Sequence, residues 1–228
     1  MEILVIIVFA ALIIAGAYFS HLQSRKRREA LEALAARRGW SFSKSNDSSF
    51  EGRFPEFSCL QAGSNRYAYN ILSGKSGDDG FVGFDYHNET YSTDSKGNRT
   101  TDHHYFSGIV VQTGLPLKPL LIRDETLFDK VGEFFGVDDI DFESAEFSRK
   151  FYVKAEDRRW AFDVINQATM EYLLAAPRFT IQFAGGRVMA FRSGTFNPDE
   201  FEQAEQVVRG ILDRLPKYLH NEWKGAQS

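Results

Sequence analysis

Three hydrophobic patterns follow one another along the chain. From Ile3 to Phe19 the run ILVIIVFAALIIAGAYF is continuous, with no charge and no polar face. Its seventeen residues, at about 1.5 Å each, make a helix of roughly 26 Å, close to the hydrocarbon thickness of a thin bilayer. From His21 to Arg38 the pattern becomes that of an amphipathic helix. Helix formers continue without Pro or Gly, Leu31, Leu34 and Ala35 form a narrow apolar stripe, and Gly39 supplies a stop. That stretch reads either as a stalk or as a surface helix packed on the rest of the protein.

Beyond Gly39 a period of two dominates. Trp40-Ser41-Phe42 and Arg66 to Ser73 alternate as short strands. Phe81 to Gln112 reads as a long antiparallel hairpin about the polar turn DSKGNR. Residues 139–143 alternate acids with Ile140 and Phe142, and FSRKFYVK (147–154) alternates throughout. RFTIQFA and RVMAFRS flank a Gly185-Gly186 turn. Residues 50–60 mix aromatics with Gly and Pro, which predicts extended pieces and turns. Helical spacing returns three times: after LKPLLIR and an Asp124 cap, from Glu156 to Ala176 with a break near Asn166, and after Asn197-Pro198-Asp199-Glu200. This last stretch combines an N-cap, Pro at the first helical position and an acid at the third.

These elements predict an α+β protein. A transmembrane helix (1–20) and a basic juxtamembrane helix (21–39) lead into a soluble domain (40–228), an antiparallel hairpin-built sheet with packed helices. A division into halves at 40–115 and 116–220 is the alternative, but no Pro- or Ser-rich linker separates them, which favours one unit.

Charge orients the arrangement. Residues 25–38 hold six basic and two acidic side chains, a net of +4, whereas everything from Gly39 onward sums to −7. Arg25, Lys26, Arg27 and Arg28 directly follow the apolar run and are the expected contacts with anionic headgroups. A cleaved signal peptide carries its positive charge before the apolar run, but here Glu2 precedes it. The bias predicts a single-pass protein of the inner (plasma) membrane, with its amino end outside and its domain in the cytoplasm. One cysteine, Cys59, rules out an intramolecular disulfide. An acidic domain with no basic stripe speaks against nucleic acid as a partner; the lipid bilayer and a protein are the expected ones.

Candidate chemistry is sparse. Gly74-Lys75-Ser76 has Tyr69 where a phosphate-binding loop needs Gly, and residues 138–143 lack the sixth-position Gly of a calcium loop. No G-x-S-x-G, H-E-x-x-H, C-x-x-C or G-x-G-x-x-G occurs. The weak catalytic candidates are Asp85, His87 and His104. A turn closing between Asp94 and Gly97 sets His87 opposite His104 and Glu89 opposite Asp102. In that register His103 faces away. Same-face neighbours on one strand also stand roughly 6–7 Å apart, so neither a structural metal nor a cofactor is expected.

FDY at 84–86, LP at 115–116, DIDF at 139–142, FSRKFYVKAED at 147–157 and MEYLL at 170–174 together resemble a widespread bacterial family of small proteins. Its members often carry an N-terminal membrane segment. The resemblance covers roughly residues 40–220 and implies a membrane-associated protein, with no activity and no catalytic residue. Two function classes remain. One is a non-enzymatic interaction or regulatory module tethered to the membrane. The other is a tethered, hydrolase-like enzyme using carboxylate and His groups of the 81–112 hairpin. A concave pocket around those groups favours the enzyme, and an open hairpin favours the module.

Overall fold

The computed structural model describes residues 1–93, 97–125 and 140–219. The apolar run and the helix formers after it make one unbroken helix, α1 (Glu2–Arg38), of 37 residues and about 55 Å. It ends where Gly39 takes a left-handed φ of 68° and donates its N–H to the carbonyls of Ala35 and Ala36. The first half is bare. Side chains from Ile6 to Phe19 are exposed on every side, and the helix is long and apolar enough to cross a membrane. The last turns are packed, with Leu31, Leu34 and Ala35 buried in the main core. The stretch from His21 thus does both things open to it in the sequence: it continues the apolar helix and packs on the domain.

The strands of the described residues form one antiparallel sheet. They are β1 (Ser41–Ser43), β2 (Ser64–Ser76), β3 (Asp79–Thr93), β4 (Arg99–Gln112), β5 (Leu120–Asp124), β6 (Phe151–Lys154), β7 (Thr180–Ala184) and β8 (Arg187–Ser193), in the spatial order β1-β2-β3-β4-β8-β7-β5-β6. The sheet runs through both stretches, 40–115 and 116–220, which meet where β4 pairs with β8 from Ser107↔Arg192 to Gln112↔Arg187. Shorter helices α2 (Phe50–Arg53), α3 (Ser58–Gln61), α4 (Ala145–Lys150), α5 (Arg158–Val164), α6 (Gln167–Ala175) and the longer α7 (Pro198–Leu212) complete the α+β architecture.

Alternation along β3 divides the core between two faces. Phe81 and Gly83 face α1 and α7: Trp40 stacks on Phe81 with 4.1 Å between ring centroids, and a Cβ at Gly83 would meet Phe201 at 3.1 Å. Phe84 and Tyr86 face the other side, packed with Phe50, Phe54, Phe57 and Leu60 into a second cluster. α1 runs antiparallel to β3, since Trp40 beyond its end lies at Phe81 while Arg27, earlier in the helix, reaches Asp85. α7 follows the same line, with Phe196 level with Arg27, and Glu202 and Glu205 level with Arg37 and Arg38. The β3–β4 hairpin therefore extends past Arg27 on the side toward which the apolar half of α1 points.

Several local expectations change. Residues 50–60 hold α2 and α3 rather than extended pieces. FSRKFYVK is half helix: Ser144 caps α4 by accepting the Phe147 N–H, Lys150 bonds Glu146 at 2.7 Å, and Phe147 stacks on Phe151 at 4.6 Å. Local i,i+3 and i,i+4 bonds thus outweigh the alternation until Phe151. Leu120–Asp124 is itself a strand, between β6 and β7. Ile140 to Glu143 lie outside any strand; the Ile140 N–H bonds the Val153 carbonyl and the Phe142 N–H the Ser148 hydroxyl. The helix expected after Asp124 falls on 126–139, outside the described residues.

Candidate functional site

The polar column of β3 begins at Asp85, which follows Phe81 and Gly83 on the helix-covered face and is wholly buried. An isolated carboxylate there would be costly, and four donors meet it. Arg27 is bidentate, Nη1 to Oδ2 and Nη2 to Oδ1, both at 2.7 Å. Asn70 Nδ2 donates at 2.8 Å, and the Ser107 hydroxyl donates to Oδ1. The network closes on itself, because Arg27 Nε donates to the Phe196 carbonyl at 2.7 Å and Ser107 Oγ accepts the Phe196 N–H at 2.9 Å. With its lone pairs engaged, Asp85 is a structural clasp between α1, the sheet and the start of α7. Arg27 correspondingly leaves the expected membrane-contact set: it is turned into the domain, whereas Arg25, Lys26 and Arg28 are exposed.

The next two residues on this face form a second centre. The hairpin pairs His87 with Tyr105, Asn88 with His104 and Glu89 with His103. That is one residue away from the expected register, because the last pair is Thr93↔Arg99. A one-residue slip exchanges the faces. His103 therefore joins His87 and Glu89, while His104 turns to the opposite face and bonds Thr90 Oγ1 at 2.8 Å. Of the three candidates, Asp85 and His87 share a face and His104 is apart from them.

His87 is buried between the rings of Tyr67 and Tyr105, at 4.6 and 4.9 Å. Its Nδ1 is bonded to the Asn65 carbonyl at 3.1 Å and its Nε2 meets His103 Nδ1 at 3.0 Å. A carbonyl only accepts, so Nδ1 carries the proton and Nε2 offers a lone pair. Glu89 Oε1 accepts from Asn65 Nδ2 at 2.7 Å and lies 3.3 Å from His103 Nδ1; Oε2 accepts from the Tyr91 hydroxyl at 3.0 Å. The Asn65 bond, helped by Tyr91 and the two imidazoles, holds the Glu89 carboxyl below the usual carboxylate range. In return Glu89 pushes the Tyr91 phenol up.

Both acids are served by irregularities of β2. Its register with β3 shifts between Ser64 and Tyr67 and again between Tyr69 and Leu72. Asn65 and Asn70, inside those shifts, have φ of 48° and 49°. Asn is among the side chains that tolerate this left-handed region best. Each bulge turns an amide toward an acid of β3, Asn65 to Glu89 and Asn70 to Asp85. No sequence pattern marks these asparagines, nor Ser107 as a partner of Asp85 or His103 of Glu89; their roles depend on the bulges and the register. A separate cleft, lined by Lys118, Asp157, Trp160, Asp163 and Tyr218, contains none of the hairpin residues.

Comparison with known proteins gives one kind of answer. No protein-family model matches the chain, and no curated protein matches it. The fold, however, has a solved counterpart. The crystal structure of the mycobacterial trehalose monomycolate transport factor A, TtfA, superposes with a TM-score of 0.62 over 84% of this chain and 97% of that one, at 12% identity. Likeness at that identity establishes the fold alone. Chemically, the centres differ in kind: Asp85 is saturated, whereas His87, Glu89 and His103 bring three donor atoms of different residues to one point beside solvent, His103 being half exposed.

Proposed function

We propose that this chain is a membrane-anchored, non-catalytic accessory module whose domain stands in the cytoplasm and docks a protein partner in the same membrane. The observation that carries the reading is the mounting of the domain. One helix without a break runs from a bare apolar half into the core, and the buried Arg27–Asp85 pair locks it there. A tether needed only to localise an enzyme does well with a flexible linker, whereas this joint fixes the pose of the sheet relative to the membrane. The shared fold with a protein named as a transport factor supports an accessory role in membrane transport. The saturation of Asp85, and a cleft located away from the hairpin histidines, weigh for the module over the enzyme.

The test is a pull-down of the full-length protein in mild detergent after reversible cross-linking in the membrane. We expect an integral membrane protein in near-stoichiometric amount, lost when Arg27→Ala breaks the clasp that fixes the pose of α1 on the sheet. A chain recovered alone, or a partner retained equally by Arg27→Ala, overturns the reading. A fluorescent reporter fused after Ser228 that is dark, while a reporter active on the outer side works, overturns the cytoplasmic placement.

A further inference from the structure

We propose that His87 Nε2, His103 Nδ1 and Glu89 Oε1 form a zinc site on the β3–β4 hairpin. The three atoms are separated by 3.0, 3.3 and 3.9 Å. Tetrahedral zinc with bonds of about 2.0–2.1 Å holds its donor atoms about 3.3–3.4 Å apart. The nearest point equidistant from atoms with the observed separations lies in their plane, about 2.0 Å from each, so a tetrahedral ion needs only the 3.9 Å pair to close by about half an ångström. The donor set, two imidazoles and one carboxylate, is of the type zinc accepts, and it suits calcium or magnesium poorly.

The spacing that speaks against a site on one strand applies to backbone positions. Here His103 comes from the facing strand, directly opposite Glu89, and the side chains of His87 and Glu89 lean toward it. The supporting shell is in place as well. Asn65 holds both His87, through its carbonyl, and Glu89, through its amide, and Tyr91 holds the other oxygen of Glu89. A histidine whose second nitrogen donates to a backbone carbonyl is the usual arrangement of a metal ligand, because it fixes both the tautomer and the ring. Tyr67 and Tyr105 pack on the His87 ring.

Without an ion, one proton links the three groups: His103 Nδ1–H has His87 Nε2 and Glu89 Oε1 as competing acceptors. When zinc binds, that proton moves to the exposed Nε2 of His103 and Nδ1 becomes a ligand. Water takes the fourth position on the solvent side, where His103 is half exposed. The site is independent of the docking role: either one stands if the other fails.

The experiment uses the full-length protein without a histidine tag, in detergent micelles, stripped with a chelator and titrated with zinc chloride alone. We expect one zinc per chain, at least tenfold weaker binding in His103→Ala and Glu89→Gln, and unchanged binding in His104→Ala. Zinc should raise the thermal midpoint of the wild type and leave that of His103→Ala in place. His103 is exposed, so its removal spares the fold, and far-UV circular dichroism checks this. Substoichiometric zinc in the wild type, wild-type affinity in His103→Ala, or an equal loss in His104→Ala overturns the proposal and leaves the cluster a hydrogen-bonded triad.

Discussion

Arg27 and Asp85 are unequal partners in one ion pair. The Asp85 side chain is fully buried, while Arg27 keeps about a fifth of its surface, 21%, in solvent. Removing the arginine strands a buried carboxylate, which costs about 3–5 kcal/mol. Removing the charge of the acid instead leaves a guanidinium that can turn to water. Asn in its place still accepts from Ser107, so the loss is about 1–3 kcal/mol. Chemical denaturation in micelles should therefore rank Arg27→Ala as the worse of the two; an equal or reversed order would mean that the pair is solvated. Nothing in the sequence distinguishes Arg27 from the basic residues beside it, because its partner lies 58 positions away. Asp85 is the more legible of the two: an acid between two aromatic residues in an alternating strand is suspect by its surroundings, although its burial, on the face that alternation marks as polar, comes from the helices lying over it. Its arginine partner, by contrast, depends on how a helix lies across a sheet.

Elements were legible where their signals are local. The start of α7 is one such place: Asn197 accepts from the Glu200 N–H at 2.9 Å and the Glu200 side chain accepts from the Asn197 N–H at 2.8 Å. Asn197→Ala should cost about 1 kcal/mol, and Asn197→Ser should restore most of it, as read from the thermal midpoint. No difference between the two variants would show that Pro198 and the packing of Phe201 set the helix start unaided. The β7–β8 hairpin, the break at Asn166 and the β3–β4 hairpin were equally readable, each marked by its turn or cap. The FSRKFYVK stretch reads as a strand because its aromatics satisfy both periods, and the Ser144 cap settles the contest for its first half. Register was the costlier miss. Counting a shorter turn placed His104 with His87. The true last pair, Thr93↔Arg99, puts His103 there instead. Side-chain periodicity on a strand has no tolerance for a one-residue error. The two bulges of β2, which build half the site, carry only an asparagine each as a trace.

For the molecule as a whole, the direction of α1 against β3 matters most. The eight steps of β3 from Asp85 to Thr93 cover about 26 Å at strand rise, whereas the eight helical steps from Arg27 back to Phe19 cover about 12 Å. Laid side by side, the hairpin passes the level at which the apolar run ends, which falls near Glu89. Tyr91 and Tyr105 are exposed along it, the residue type that rests comfortably at headgroup depth. A dye on a cysteine placed at Thr101, with Cys59 buried and unreactive, should be quenched by spin-labelled headgroups in vesicles carrying the full-length protein. A dye on the exposed Lys75→Cys, near the far end of β2, should not. Equal quenching at both positions, or at neither, would rule the geometry out. A body held by a single rod can swing and spin about it; a body that also rests a foot on the floor has a stance. A hairpin that runs back alongside α1 would give the protein such a footing wherever that helix spans a bilayer.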